Sequence, residues 1–479
     1  MHWKNSRSLY VISLIMLLLS PSFILSSMIQ SFINDNSYDL EDFEHSSPRA
    51  SSLDSEIVIV WNKTYGELKD EVVKSLIRLP NGNYVISGYL NSSDNYDIML
   101  MCFAPNGTSL WNQTFGYEED DYGFEVIQCT SGGIALAGRI TNTTALHDNN
   151  DAILIRIAAN GTQIWNQTYS GPEQTPTSIT DDRIYSVVEC TNGDFVLAGV
   201  TTITDEGSNV WLVRVDSTGY LLWSRTYHNW DIDRCFEPHC LVQNNNGGFT
   251  IAGYTYNSTQ SNDVWLIRTN AVGSVIWNHT YGATDEYQRP YGLVKCAPDG
   301  YALIAANKTT GGLYTDAWII RTDGGGNELW NQTYGGEESD GGSQIIEMPD
   351  GGFTFVGATH SFDMGQGDIW LVRTNANGSI LWNHTIATPY GESGVSFVYE
   401  GNGIYTIAGH HNPVGNVGSV IWLLQVKVNI ITPDDGTSEN EDGNLWWLIL
   451  IILSIIGIVS IATIWYRSRK SRTPSLTTS

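Results

Sequence analysis

Three features of the sequence together predict an all-β protein: a seven-bladed β-propeller of four-stranded blades, followed by one C-terminal transmembrane helix. First, a tryptophan-headed motif returns at Trp61, Trp111, Trp165, Trp223, Trp277, Trp330 and Trp382, spaced by 50, 54, 58, 54, 53 and 52 residues. That period belongs to propellers and other repeat arrays. Second, each interval holds four short strand-like segments separated by Gly-rich turns, which is the content of one propeller blade. Third, Leu445 to Tyr466 is a run of 22 uncharged residues, long enough to cross a hydrocarbon core of ~30 Å as a helix.

In chain order, "MHWKNSRS" is a basic n-region and "LYVISLIMLLLS" a short apolar h-region with small residues after it, so residues 1–27 read as a secretory signal peptide. Residues 28–56 read as a disordered acidic linker, and the propeller as residues 57–429. One full repeat shows the local pattern. "IYSVVECTNGD" is a strand entering a Gly turn, "FVLAGVT" an apolar strand, "NVWLVRVD" a third strand leading to the turn "STGY", and "LLWSRTY" the fourth. We label these strands a to d and number the blades from Glu71. Blade seven has no fourth strand after Trp422, so the N-terminal segment "IVIVWNKTY" (57–65) is expected to supply it. Such closure pairs both chain ends and removes an open edge.

Residues 430–444 form a short acidic linker before the span at 445–466. Trp446, Trp447, Trp465 and Tyr466 sit at the two ends of that span, as interfacial aromatics do, and "RSRKSR" follows it. The basic side stays in the cytoplasm. This predicts a single-pass cell-membrane protein with the propeller outside and residues 467–479 as a cytoplasmic tail. The 51 Asp and Glu against 24 Lys and Arg give a net charge of −27, which excludes nucleic acid as a partner and favours cations or basic partners. Of six cysteines, Cys235 and Cys240 ("CFEPHC") are the candidate disulfide. Cys129, Cys190 and Cys296 share one repeat position and read as small buried apolar residues.

The pattern W-N-x-T-Y-G, then D-G-G-F, A-G and D-x-W-L-V-R-T, resembles the tandem β-propeller repeats of secreted and surface-anchored archaeal and bacterial proteins. The resemblance implies the fold and no particular activity. The turns before each Trp ("VDSTGYLLW", "TDGGGNELW") also resemble quinoprotein dehydrogenase repeats, without the eight blades or vicinal cysteines usual there.

The a–b and c–d turns are uniformly short, whereas the b–c and d–a loops vary in length. One face of the propeller is therefore plain and the other elaborated, and function favours variable loops on a rigid scaffold. The plain face should look toward the membrane. Acidic residues stand thirteen positions before the hydrophobic residue that follows the a–b turn at Glu71, Asp121, Asp182, Asp340 and Glu392, with Asp233 and Asp285 displaced in blades four and five. These seven are the candidate binding ring, in the d–a loops at the channel mouth. Two readings stand: acids bonding turn amides, or a negative funnel for Ca²⁺ or a basic ligand. Arg156, Arg214, Arg268, Arg321 and Arg373 recur on third strands and read as structural ties. Asn91, Asn106, Asn142, Asn160, Asn257 and Asn377 are the candidate glycan acceptors among thirteen Asn-x-Ser/Thr sequons. The sequence offers no catalytic constellation that departs from the repeat. It thus points to a non-catalytic recognition or adhesion module that binds an unknown protein or glycan ligand through its acidic, membrane-distal face, an extracellular hydrolase or lyase with its site at the channel mouth and a surface-layer component being the alternatives.

Overall fold

A computed structural model describes residues 54–66, 70–92, 95–143, 148–171, 181–203, 207–229, 232–235, 237–256, 262–282, 287–308, 314–362, 367–412 and 418–431. The expected signal peptide, membrane span and tail lie outside them, as do nearly all of the two expected linkers. Among the described residues no helix is long and apolar enough to cross a membrane.

Seven antiparallel sheets account for the described chain. Their a strands are Val72–Arg78, Tyr122–Gln128, Arg183–Glu189, the pair Ile232–Arg234 and Leu241–Gln243, Tyr287–Lys295, Asp340–Glu347 and Gly391–Gly401. Each a strand contacts the next around a closed circle, and blade seven returns to blade one. The fold is a seven-bladed propeller with the a strands lining a central channel. The N-terminal strand, Ser55–Tyr65, pairs antiparallel with Val420–Ile430, Ser55 opposite Ile430 and Tyr65 opposite Ile421. It starts two residues earlier than expected and closes blade seven.

Within a blade, β-branched and aromatic residues favour pleated, buried strands, and Gly at positive φ tightens the turns. In blade six the a–b turn is fixed by Met348 N–H to Gly352 O and Gly351 N–H to Met348 O, both 2.8 Å. The core lies between blades as apolar layers such as Phe353, Phe355, Trp370 and Val372 of blade six on Ile304 and Ile319 of blade five.

The tryptophan motif is the clamp between blades. In "WNQTYGG" the Trp330 ring sits over the c–d turn of blade six, and Tyr334 donates its hydroxyl to Gly378 O at 2.7 Å. Gly378 has φ +83°, and a Cβ there would fall 2.9 Å from the Trp330 ring, so the turn admits only glycine. Tyr169, Tyr227 and Tyr281 bond Gly219, Gly273 and Gly326 in the same way at 2.8, 2.7 and 2.6 Å, and Tyr65 bonds Gly107. Two places depart. Blade one has Phe115, with no hydroxyl to donate. Blade six has Ile386, where blade seven, closed by the N-terminal strand, has no c–d turn to receive one. Asn278, Asn331 and Asn383 face the other way and accept the indole N–H of Trp265, Trp318 and Trp370 at 3.1, 3.1 and 3.4 Å.

Candidate functional site

The d–a carboxylates are turned inward, not toward the channel. Glu71, Asp121, Asp182, Asp233, Asp340 and Glu392 are all buried, and Asp285 lies outside the described residues. Asp121 accepts Tyr117 N–H at 2.6 Å and Thr141 N–H at 2.8 Å. Asp340 accepts Gly336 N–H at 2.8 Å, Ser361 Oγ–H at 2.6 Å, His360 N–H at 3.1 Å and the Thr359 hydroxyl. Asp182 takes Gly171 N–H, Asp233 takes Asn229 N–H, and Glu392 takes Thr388 N–H and His411 Nδ1–H. These five acids each bind a loop amide, the geometry of the turn-bonding alternative. In blade five the counted position is Gln288, thirteen residues before Tyr301, and it is buried like its acidic counterparts. There the neutral amide donates Nε2–H to Asn307 Oδ1 at 3.1 Å. Burial pushes the Asp121 carboxyl up to about 6, against the lowering effect of Thr141 and Tyr117 N–H. Among the described residues no three His, Cys, Asp or Glu side chains are grouped to hold a metal ion.

Blade four breaks the repeat. Asp233 stands sixteen rather than thirteen residues before Phe249, and the three extra residues split its a strand in two. Between the halves Cys235 and Cys240 are joined by a disulfide. Cys102, Cys129, Cys190 and Cys296 are free and buried. The closed loop lies across the channel and is pinned to three other blades. Glu237 reaches Arg289 Nη2 of blade five at 2.9 Å and Lys74 Nζ of blade one at 3.8 Å. His239, held at φ +61°, donates Nδ1–H to Glu125 Oε1 of blade two at 2.7 Å. Glu125 also accepts Ser186 Oγ–H at 2.6 Å and Val187 N–H at 2.7 Å from blade three. In blade six the corresponding residue is neutral Gln344, which accepts Ser396 Oγ–H and Phe397 N–H at 2.9 and 2.6 Å. Glu125, unlike Gln344, has a histidine facing it.

Beside this plug, on the elaborated face, is a hollow of about 270 Å³ lined by Lys74, Tyr89, Tyr122, Phe124, Arg139, Arg183, Tyr185, Glu237 and Arg289. Arg183 grips Asp181 through Nε and Nη2 at 2.7 and 2.6 Å, and Arg139 approaches the same carboxylate at 3.8 Å. The Arg139 guanidinium lies 4.3 Å over the Tyr122 ring. Burial would raise the Asp181 carboxyl, but the hydrogen bonds and charge of Arg183 outweigh it and hold it below the usual range. Burial pushes the Tyr89 hydroxyl up to about 12, aided by the neighbouring Tyr122 and Tyr96, and burial likewise raises Tyr122 and Tyr185. These phenols are neutral hydrogen-bonding groups near pH 7, not bases. A second chamber of about 210 Å³, with Ser343, Ser393, Tyr291 and His410 in its wall, adjoins the plug. His410 Nε2 accepts Val73 N–H at 2.9 Å, and burial pulls its pKa down to about 4.

The sequence reading had not singled out Lys74, Arg139, Arg183, Glu237 or Arg289. A larger hollow of about 610 Å³ lies on the plain face between blades six and seven, beside Trp382 and the Asp350–Arg373 pair. Its wall is more apolar, with Met348, Pro349, Leu381, Trp382, Val428 and Ile430, and it holds one cation, Arg373, already paired with Asp350. The recurrent arginines serve turns: Arg156 bonds Ile134 O and Ile157 O at 2.9 and 3.0 Å, and Arg214 bonds Asp194 at 2.8 Å and Ala271 O of blade four at 3.1 Å. Of the sequon residues, Asn106, Asn142, Asn160 and Asn377 are exposed and Asn91 half-buried, while Asn257 lies outside the described residues. Asn106 and Asn160 each accept the N–H of their own sequon threonine, at 3.0 and 3.1 Å.

No protein-family model and no curated protein matches the chain. Among solved structures, the polysaccharide lyase Uly1 is 8% identical over 77% of this chain and 99% of its own, with a TM-score of 0.48. A puromycin hydrolase variant is 11% identical over 71% of this chain and 50% of its own, with a TM-score of 0.46. Sqt1 from Chaetomium thermophilum is 10% identical over 72% and 81%, with a TM-score of 0.42. At these identities the likeness concerns the fold alone.

Proposed function

We propose that the protein is a membrane-anchored extracellular propeller that recognises an anionic ligand in the hollow at the channel mouth. The observation that carries this reading is local charge reversal: in a chain of net charge −27, Lys74, Arg139, Arg183 and Arg289 converge on one sector together with tyrosine rings. Few precisely placed polar groups on an aromatic-lined concavity are the usual form of a ligand site, and paired guanidinium groups suit carboxylate or sulfate oxygens. The anchor is the apolar run 445–466, so the mouth faces away from the membrane. Candidate glycans at Asn91, Asn106, Asn142, Asn160, Asn257 and Asn377 belong to the same extracellular setting. The test is calorimetric titration of the purified protein with uronic-acid oligomers and with neutral glucose oligomers. The reading requires heat from the acidic set alone, abolished by Arg139→Gln with Arg183→Gln. Equal binding of both sets, or of neither, would sink it.

A second reading, an enzyme using the chamber that adjoins the plug, where His239 lies, rests on one observation. Glu125 orients His239 through Nδ1, the arrangement that prepares an imidazole Nε2 for proton transfer. Product release from an acidic oligosaccharide, lost in His239→Gln with binding retained, would favour it over recognition alone.

A further inference from the structure

The four cations of the hollow fall into two pairs, and each pair shares one carboxylate. Arg139 and Arg183 both face Asp181. Lys74 and Arg289 both face Glu237. Counting these two carboxylates alone, each pair carries one more positive charge than negative; Arg139 also interacts with the Asp121 carboxylate. The two carboxylates are fixed differently. Asp181 is gripped from two sides by Arg183 and also accepts Asn150 Nδ2–H at 2.7 Å. Glu237 is carried by the loop that the Cys235–Cys240 disulfide closes, so it cannot leave the channel. Neither acid is free to move aside, and a ligand must be matched to the charge that remains. Tyr89, Tyr122 and Tyr185 line the same hollow with the two pairs. Tyr185 is buried and Arg139 covers one face of the Tyr122 ring, so the half-buried Tyr89 and the open part of Tyr122 are the aromatic surface offered to a pyranose ring.

We propose that the hollow is a two-seat site for an acidic oligosaccharide: one acid group at Arg139 and Arg183, a second at Lys74 and Arg289, with sugar rings on the tyrosines. The inference rests on the anionic-ligand reading above and adds to it the number and order of the charges. A single acid sugar fills one seat and leaves the other pair unmatched. An oligomer fills both, and the second seat is reached without a new loss of translational freedom. Glu237 is then a specificity-determining residue. It limits the Lys74–Arg289 seat to a single charge, and Glu237→Gln would open it to more highly charged groups such as sulfated units.

The experiment uses the full-length protein and galacturonic acid with its dimer, trimer and tetramer, titrated by calorimetry at low and at physiological salt. The expected result is that one of the oligomers binds at least tenfold more tightly than the monomer, a step of about 1.4 kcal/mol. Arg289→Gln, and separately Lys74→Gln, should remove that advantage, so that in each variant the oligomers bind no more tightly than the monomer does. Two variants are used so that a folding defect in one does not decide the matter. Glu237→Gln should raise affinity for a sulfated oligomer more than for a uronate. Equal affinity for monomer and oligomers, unaffected by Arg289→Gln and Lys74→Gln, overturns the two-seat proposal but leaves the anionic-ligand reading in place. Failure of every acidic sugar to bind removes both. Binding of a single-stranded oligonucleotide in preference to the uronates would likewise overturn the saccharide assignment.

Discussion

Replacing Tyr334 by phenylalanine deletes one oxygen and tests whether the repeated motif is a clamp. The hydroxyl is buried and donates to Gly378 O of the next blade at 2.7 Å, and Gly378 is itself buried. A net intramolecular hydrogen bond is worth about 0.5–1.5 kcal/mol, and a buried acceptor left without a donor costs about 1–3 kcal/mol. Tyr334→Phe should therefore destabilise by about 1–2 kcal/mol, since the ring and its packing on Phe355 remain. The protein carries its own reverse experiment. Blade one has Phe115 where five blades donate to the adjoining turn, and the Gly161 turn beside it meets Trp111 in the same geometry. Phe115→Tyr should stabilise by about 0.5–1.5 kcal/mol. Ile386→Tyr should bring no gain, because blade seven offers no c–d turn to accept the bond. The assay is urea unfolding followed by tryptophan fluorescence, comparing midpoints at unchanged slope. A Tyr334→Phe protein as stable as wild type, together with a Phe115→Tyr protein that gains nothing, would refute the clamp. The tryptophan should then be treated as ordinary interblade packing, and Trp330→Ala would be the larger loss, about 3 kcal/mol.

Other outcomes follow from the buried groups. Because the d–a carboxylates already accept loop and strand amides, millimolar Ca²⁺ and a chelator should give the same melting temperature; a rise with Ca²⁺ would revive the negative-funnel reading, since binding the native state alone must stabilise it. Burial holds the thiols of Cys102, Cys129, Cys190 and Cys296 at about 11–12, so iodoacetamide should label none of them in the native protein and all four after unfolding, while intact mass shows Cys235 and Cys240 oxidised. His410 has a folded pKa of about 4 against about 6.5 unfolded. The unfolded chain therefore takes up its proton first, and stability present above about pH 6.5 falls as the pH drops toward 4. Asp121, raised to about 6, acts in the opposite sense and gains stability as the pH falls below 6. Lys74 lies close enough to depress His410 further, and Ser393 completes its polar surroundings. His410→Gln, whose amide oxygen can still accept Val73 N–H, should flatten or reverse the acid limb; urea midpoints between pH 4 and 7 that match wild type would show that His410 does not set it.

How far the site could be read in advance depends on what repeats. The propeller was legible because Trp, turn Gly and the A-G of strand b recur at one period, and each recurrence is demanded by the same interblade contact. The closing strand was legible because blade seven lacks a fourth segment. The mouth was not, because attention to the recurring acids picks out residues whose job is the same in every blade. The channel-facing positions are those where the period holds and the residue changes. Ten positions before the residue that follows the a–b turn stand Lys74, Phe124, Tyr185, Tyr291 and Ser343, and twelve before it stand Tyr122, Arg183 and Arg289. Directly after the glycine of strand b stand Tyr89, Arg139, Val200, Tyr254 and His410. A scaffold residue meets the same neighbours from blade to blade, so its type recurs wherever that contact is made. A channel residue meets six different partners across the axis and is free to vary. The three-residue excess in blade four carries the same message in length: it is the one a strand that does not fit, and it delivers Glu237 and His239 to the centre. In a closed repeat the constant positions therefore specify the wall, and the asymmetry that a ligand needs is found by setting them aside.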